Sequence, residues 1–417
     1  MINRREFLGI TAGAGAALAL TPQLLRALEQ QGGTLIQRAI PSSGEMLPVI
    51  GLGRGNDAPD HAALKEVLKT LVDNGGRVLD TTHGGAAAEE LTGTIANELG
   101  IQDRIFWSTK VTTPPRPPSP PGTAAPKVDP TAARAHIETT FARFKVPRID
   151  LLLVRPFDDV PTYLAVLREM KKAGRVRYIG VTAAFDNQYA QLEAIMRDEP
   201  IDFIGVDYAI DNRNVEQTIL PLAQERKIGV MANFPFGGNF GPAGQVMSYL
   251  FARVGNAPLP EWAADFDART WGQFFLKYVV SHPAVTAVRV GTSQSKHMLD
   301  NLAGGTGRLP NEATRKRMAE LVDSLTRVAA VRVPTSVLER YVGEYEFPNY
   351  TVVVRLKGDT LTSQRLRLPE FNLVPVSETR FRLGNQDVEF VIDPAGGVTK
   401  VIRAGSQEVR GRRKPKP

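Results

Sequence analysis

Between residues 47 and 292 the chain alternates short apolar runs with longer stretches whose apolar residues recur every three or four positions. The runs, rich in Val, Ile and Leu, are LPVIGLG (47–53), GRVLDTT (76–82), IFWSTKV (105–111), IDLLLVRP (149–156), VRYIGVTA (176–183), FIGVDYA (203–209), IGVMANF (228–234) and VTAVRVGT (285–292). Runs this short and this apolar suit strands buried on both faces, and the segments between them suit helices with one apolar stripe. HAALKEVLKTLVDNG (61–75) and TYLAVLREMKKAG (162–174) are the clearest helices, each closing on a glycine suited to a C-cap. Eight such strand and helix units predict an α/β fold, a (β/α)8 or TIM barrel.

Two connections are long for a barrel. TTPPRPPSPPGTAAPKVDP (112–130) follows the third run and is stiffened by proline, and residues 236–267 follow the seventh and are expected to contain a helix. Both leave the carboxyl ends of strands, the face on which such barrels carry their sites. From about residue 334 the period changes to two, in YTVVVRLKGDTLTSQ, FNLVPVSETRFRL and VEFVIDPAGGVTKVI, with turn signals KGD, GNQD and PAGG between them. This predicts a small antiparallel β domain.

Composition is that of a chain able to bury a full core, with 42% hydrophobic and 23% charged residues. The absence of cysteine excludes a disulfide framework and a lipidated cysteine anchor. Of the net charge of +7, Arg410, Arg412, Arg413, Lys414 and Lys416 supply five, which leaves +2 for the rest of the chain. A solvated basic tail therefore accounts for the high pI, and no nucleic-acid partner is expected.

The start, MINRREFLGITAGAGAALAL, places Arg4 and Arg5 before an apolar stretch too short for a stable membrane span. NRREFLG resembles a twin-arginine export signal, which implies the twin-arginine export machinery as a partner and a periplasmic or extracellular destination. The expected organisation is a signal peptide over 1–30, the barrel over 40–330, the β domain over 334–410 and a basic tail over 411–417.

Four ordered stretches carry a further resemblance: GGRVLDTT (75–82), WSTK (107–110), AGRVRYIGVTA (173–183) and VGTSQSKHMLDNL (290–302). Residues 46–328 resemble the aldo-keto reductase family, NADP-dependent barrel enzymes that reduce carbonyls. The resemblance implies NADP as cofactor and a small carbonyl or sugar substrate. The family's catalytic set is Asp, Tyr, Lys and His. Asp80 and Lys110 stand at the first and third of these places, whereas Gly85 stands where the tyrosine falls and Arg155 where the histidine falls.

The departure bears on chemistry, because reducing a ketone builds alkoxide character on oxygen and an acid must protonate it. Glycine has no proton to give, and an arginine holds its own too firmly. Arg155 suits an oxyanion or a carboxylate, with Asp80 as one candidate partner, and His83 is the titrating side chain closest to the vacancy. For the cofactor, Thr182 and Ala183 stand where the family has Ser-Asn, and Asn233 stands where it has a stacking aromatic. Gly291, Thr292, Ser293, Lys296 and Asn301 match the segment that holds the adenosine end, and a helix N-terminus with hydroxyls and an ammonium suits its phosphate. LERYVGEYE and the strands after it, over roughly 335–410, resemble the lipocalin-like β module appended to bacterial serine hydrolases of the penicillin-binding type. Three functions stay open on these residues: an oxidoreductase with an altered acid, a silent barrel that binds an anionic or sugar ligand, and a lyase or isomerase in which Lys110 or His83 removes a proton. No residue spacing suggests a metal site.

Overall fold

The computed structural model describes residues 33–54, 60–81, 86–112, 128–155, 159–183, 188–237, 239–240, 246–247, 250–255, 257–325, 333–347, 350–365, 370–383, 386–393, 397–404 and 407–414. These fall into two compact units, one carrying a parallel barrel (within Ala19–Val246 and Asn256–Val322) and one carrying an antiparallel barrel (within Asp323–Pro417) together with Met247–Gly255. Among the described residues no helix is long and apolar enough to cross a membrane.

The parallel barrel closes from eight strands: β1 (Ile50–Arg54), β2 (Val78–Thr81), β3 (Phe106–Thr112), β4 (Ile149–Arg155), β5 (Val176–Thr182), β6 (Phe203–Asp207), β7 (Gly229–Asn233) and β8 (Val285–Gly291), with β8 returning to β1. All eight apolar runs became strands. The two clearest helices lie at His61–Asp73 (α1) and Val160–Lys172 (α4), and Gly75 and Gly174 behind them have φ of 82° and 74°. The other helices of this unit are α2 (Ala86–Leu99), α3 (Pro130–Phe144), α5 (Tyr189–Asp198), α6 (Ile219–Glu225), α7 (Trp271–Val280), α8 (Ser295–Ala303) and α9 (Glu312–Leu325). The long connection after β7 holds the expected helix, Leu250–Val254, and a 3-10 turn, Glu261–Phe266.

The interior of this barrel changes character along its axis. At one end Val78, Phe106, Leu151, Leu153, Tyr178, Phe203, Met231 and Ala287 form one buried cluster, sealed by Ile40 and Leu47 around the hairpin of Gln37–Ala39 with Met46–Pro48. Side chains two apart on a strand share a face. Stepping by two from that cluster toward the carboxyl ends gives Asp80, Lys110, Arg155, Thr182, Gly205, Asn233 and Arg289. An apolar plug at one end thus hands over to a ring of polar inward positions at the other, and the strand pleat puts them there.

The second unit is a closed antiparallel barrel of eight strands paired in sequence order: β9 (Gly343–Phe347), β10 (Tyr350–Lys357), β11 (Thr360–Arg365), β12 (Glu370–Pro375), β13 (Arg380–Leu383), β14 (Gln386–Ile392), β15 (Val398–Ala404) and β16 (Gln407–Arg413). Tyr345 opposite Arg413 closes the ring. Its core is aromatic, with Tyr341 stacked on Phe390 at 4.4 Å between ring centres and Phe381 edge-on to both. Lys400 is wholly buried on β15 and reaches Ser363 Oγ on β11, across the ring, at 2.5 Å. Among the described residues no carboxylate meets it, and burial pulls its pKa down to about 7.

Candidate active site

The polar ring centres on Asp80, wholly buried at the end of β2. Its Oδ1 accepts from Ser108 Oγ at 2.6 Å, while its Oδ2 accepts from both Lys110 Nζ and Arg289 Nη1, the latter at 2.7 Å. Lys110 also donates to Thr81 O at 3.2 Å. Burial opposes ionisation of Asp80, but the two cations and the hydroxyl outweigh it and hold its pKa below the usual carboxylate range. Lys110 is pushed the other way, to about 7, by burial first and by Arg289 and Arg155 nearby, against the pull of Asp80.

Asp80 and Lys110 therefore meet as their positions at neighbouring strand ends suggested. Arg155 does not pair with Asp80: the carboxylate is taken by Arg289, which sequence reading passed over. Arg155 ends β4 half-buried, close enough for its charge to depress Lys110, and its own pKa is lowered by burial and by Arg289. A signal for Arg289 was present, since a charged residue amid the apolar run VTAVRVG shares a pleat face with Ala287. Its neighbour Gly53 gives a second: a Cβ there would stand 2.4 Å from Arg289 Cγ, so β1 must carry glycine for this guanidinium to enter the barrel. His83 and Gly85, and most of the proline-rich connection, lie outside the described residues.

On the far side of the mouth, Thr182, Gly205 and Asn233 adjoin on β5, β6 and β7. Thr182 Oγ1 donates to Gly205 O at 3.1 Å, and a Cβ at Gly205 would stand 2.4 Å from Thr182 Oγ1 and 3.3 Å from Asn233 Nδ2. Glycine at 205 is what lets the two polar side chains approach. Asn233 Oδ1 is buried and has no hydrogen-bond partner among the described residues, a cost that a ligand donor would relieve. Next to it Phe234 takes a left-handed backbone, φ 53°, which is unusual for a bulky residue.

Gly291 ends β8, and Thr292 Oγ1 accepts from Gln294 N at 3.1 Å. Helix α8 follows with no side chain capping its first N–H groups. Ser293 and Lys296 are exposed beside it, while Asn301 is buried in its last turns. These residues suit the phosphate-bearing end of a dinucleotide, and the adjoining Thr182 and Asn233 side chains suit a carboxamide. The described residues hold no group of side chains fit for a metal ion.

A parallel eight-stranded barrel with a buried carboxylate and lysine at the carboxyl ends of adjacent strands defines a protein of the barrel-enzyme architecture. The chain belongs to the aldo/keto reductase family, whose model matches residues 49–319. A probable aldo-keto reductase 1 from Glycine max is 30% identical over 156 residues, a match spanning 36% of this chain and 40% of that protein. Among solved structures, the holo form of an aldo-keto reductase from Bacillus halodurans superposes with a TM-score of 0.54 at 19% identity, covering 71% of this chain and 97% of that one. An aldo-keto reductase from Klebsiella pneumoniae in complex with NADPH gives 0.52 at 20% identity, covering 69% and 96%. At these identities the likeness is one of fold.

Proposed function

We propose that the protein is an exported NADP-dependent oxidoreductase that reduces a small carbonyl compound, with Lys110 supplying the proton that a tyrosine supplies elsewhere in the family. The observation that carries this reading is the buried Asp80–Lys110 pair, with Lys110 held near pH 7 rather than in the usual lysine range. An acid works best when its pKa lies near the working pH. An ammonium near 7 hydrogen-bonds the carbonyl oxygen, stabilises charge growing there and gives up its proton; Asp80 stays ionised and fixes the amine in place.

When bound, the reduced nicotinamide supplies the hydride. Thr182 and Asn233 would hold its carboxamide, with Asn233 Oδ1 accepting the amide N–H it now lacks. Gly291, Thr292, Ser293, Lys296 and Asn301 would hold the adenosine end through backbone N–H groups, hydroxyls and charge. The NADPH bound to the Klebsiella relative supports the choice of cofactor. Arg4 and Arg5 support export, and changing both to lysine should leave the precursor in the cytoplasm. The sequence-order pairing of the C-terminal strands supports the lipocalin-like reading of that unit.

NADPH titration followed by fluorescence, then a screen of carbonyl and sugar substrates, tests the proposal. Absence of binding at millimolar NADPH sinks it. Binding without turnover of any carbonyl would instead favour the silent, ligand-binding barrel.

A further inference from the structure

Arg289 uses one N–H, on Nη1, to hold Asp80, and among the described residues the rest of its fork of donors meets no acceptor. It is nonetheless buried, 8% exposed, at the mouth of the barrel. Gly53 has been cleared of a side chain to admit it. Lys110 and Arg289 both act on Asp80, and Arg155 is close enough to Lys110 to lower its pKa. Asp207 on β6, at the same end, is held by Tyr189 Oη at 2.8 Å and Asn212 Nδ2 at 2.7 Å. Glu89 outside the strands is engaged by Thr109 and Arg143, and burial raises its pKa. Arg289 therefore keeps N–H donors at the mouth that no described carboxylate takes up.

Geometry narrows the anion that would fit. Lys110 and Arg289 donate to the same oxygen of Asp80, so their donor nitrogens lie within two hydrogen-bond lengths, about 6 Å, of one another. A substrate meeting both must carry its anionic group next to its carbonyl.

We propose that Arg289 is the specificity residue of this site, receiving the carboxylate of a 2-oxo acid while the adjacent carbonyl oxygen meets Lys110. The proposal rests on the oxidoreductase reading above. A bound reduced nicotinamide would supply the hydride for the new C–H bond at the carbonyl carbon; the C=O π pair would move to oxygen, and that oxygen would take the proton of Lys110, which solvent restores. The product is the 2-hydroxy acid.

Oxamate, which mimics a 2-oxo acid but is not reduced, tests the site without turnover. Calorimetric titration of the full chain should show oxamate binding, and Arg289→Met should weaken it roughly 30-fold or more, the usual consequence of removing one partner of a buried charge pair. Arg289→Lys keeps the charge on Asp80 and loses the fork, and should also bind oxamate at least about tenfold more weakly while NADPH affinity stays unchanged. Equal oxamate affinity in wild type and both variants would overturn the assignment, leaving Arg289 a structural partner of Asp80. If neither variant folds, the wild type still decides: kcat/KM for glyoxylate should exceed that for glyceraldehyde by about 100-fold, and the reverse order would overturn the proposal. NADPH binding without oxamate binding refutes this inference alone; oxamate binding without NADPH binding refutes the oxidoreductase reading and keeps the anion site.

Discussion

Replacing Asp80 by asparagine removes the one charge that two buried cations share. Removing one partner of a buried pair typically destabilises by about 3–5 kcal/mol, because the remaining charge is left without compensation. Here Ser108 can still donate to the amide oxygen at the former Oδ1 position, so the loss falls on Lys110 and Arg289. The pH dependence gives the prediction its sign. Lys110 titrates near 7 in the folded barrel and near 10.4 when unfolded. Between those values the unfolded chain binds more protons, so stability rises with pH from about 7 to about 10.4 and the full penalty of burying the ammonium applies below 7. At pH 9 Lys110 is already neutral in the wild type, and only the pairing of Arg289 is left for the substitution to remove. Asp80→Asn should therefore cost about 3–5 kcal/mol at pH 6 and clearly less, roughly half, at pH 9. Urea unfolding followed by tryptophan emission reads this unit selectively, since Trp107, Trp262 and Trp271 are the only tryptophans and all belong to it. A loss below about 1 kcal/mol at pH 6, or an equal loss at both pH values, would refute the reasoning.

Lys400→Met in the antiparallel barrel should stabilise that unit at pH 6 by up to a few kcal/mol, since burial holds this lysine near 7 with no countercharge among the described residues, and the gain should shrink as pH rises toward about 10. Hydrogen exchange of the β11 and β15 amides measures it, and a pH-independent gain would contradict the assigned cause. Asn233→Leu should stabilise the free parallel barrel by about 1–3 kcal/mol, by removing a buried acceptor without a partner, and at the same time weaken NADPH binding about tenfold. A loss of stability with unchanged NADPH affinity would show that Oδ1 has no part in holding the cofactor.

Both barrels were legible because each has a period the chain cannot hide. Strands buried on both faces read as solid apolar runs in the parallel barrel, and alternation marks the antiparallel one. Asp80 and Lys110 were legible because they end such runs. Arg289 was hard to single out, because it lies inside one, and its identity as a site residue depends on barrel closure between β8 and β1, which lays its side chain against Gly53. The pairing of Asp80 with Arg289 rather than Arg155 is likewise a matter of closure: residues 209 apart in sequence meet because the last strand returns to the first. Lys400 reads in sequence as one more outward charge in VTKVI. Only its pleat face, shared with Val398 and Ile402, reveals it as interior.

The measurement that bears most directly on the central claim is the pH profile of kcat/KM for NADPH-dependent carbonyl reduction, in the wild type and in Lys110→Met. With the Lys110 ammonium as the acid, the profile should fall above about pH 7, approaching tenfold per unit. The methionine variant should lack that limb and turn over about 10² to 10⁴ more slowly at pH 6, with its NADPH affinity retained. A wild-type profile flat from pH 6 to about 9, or the same limb persisting in Lys110→Met, would contradict Lys110 as the proton donor.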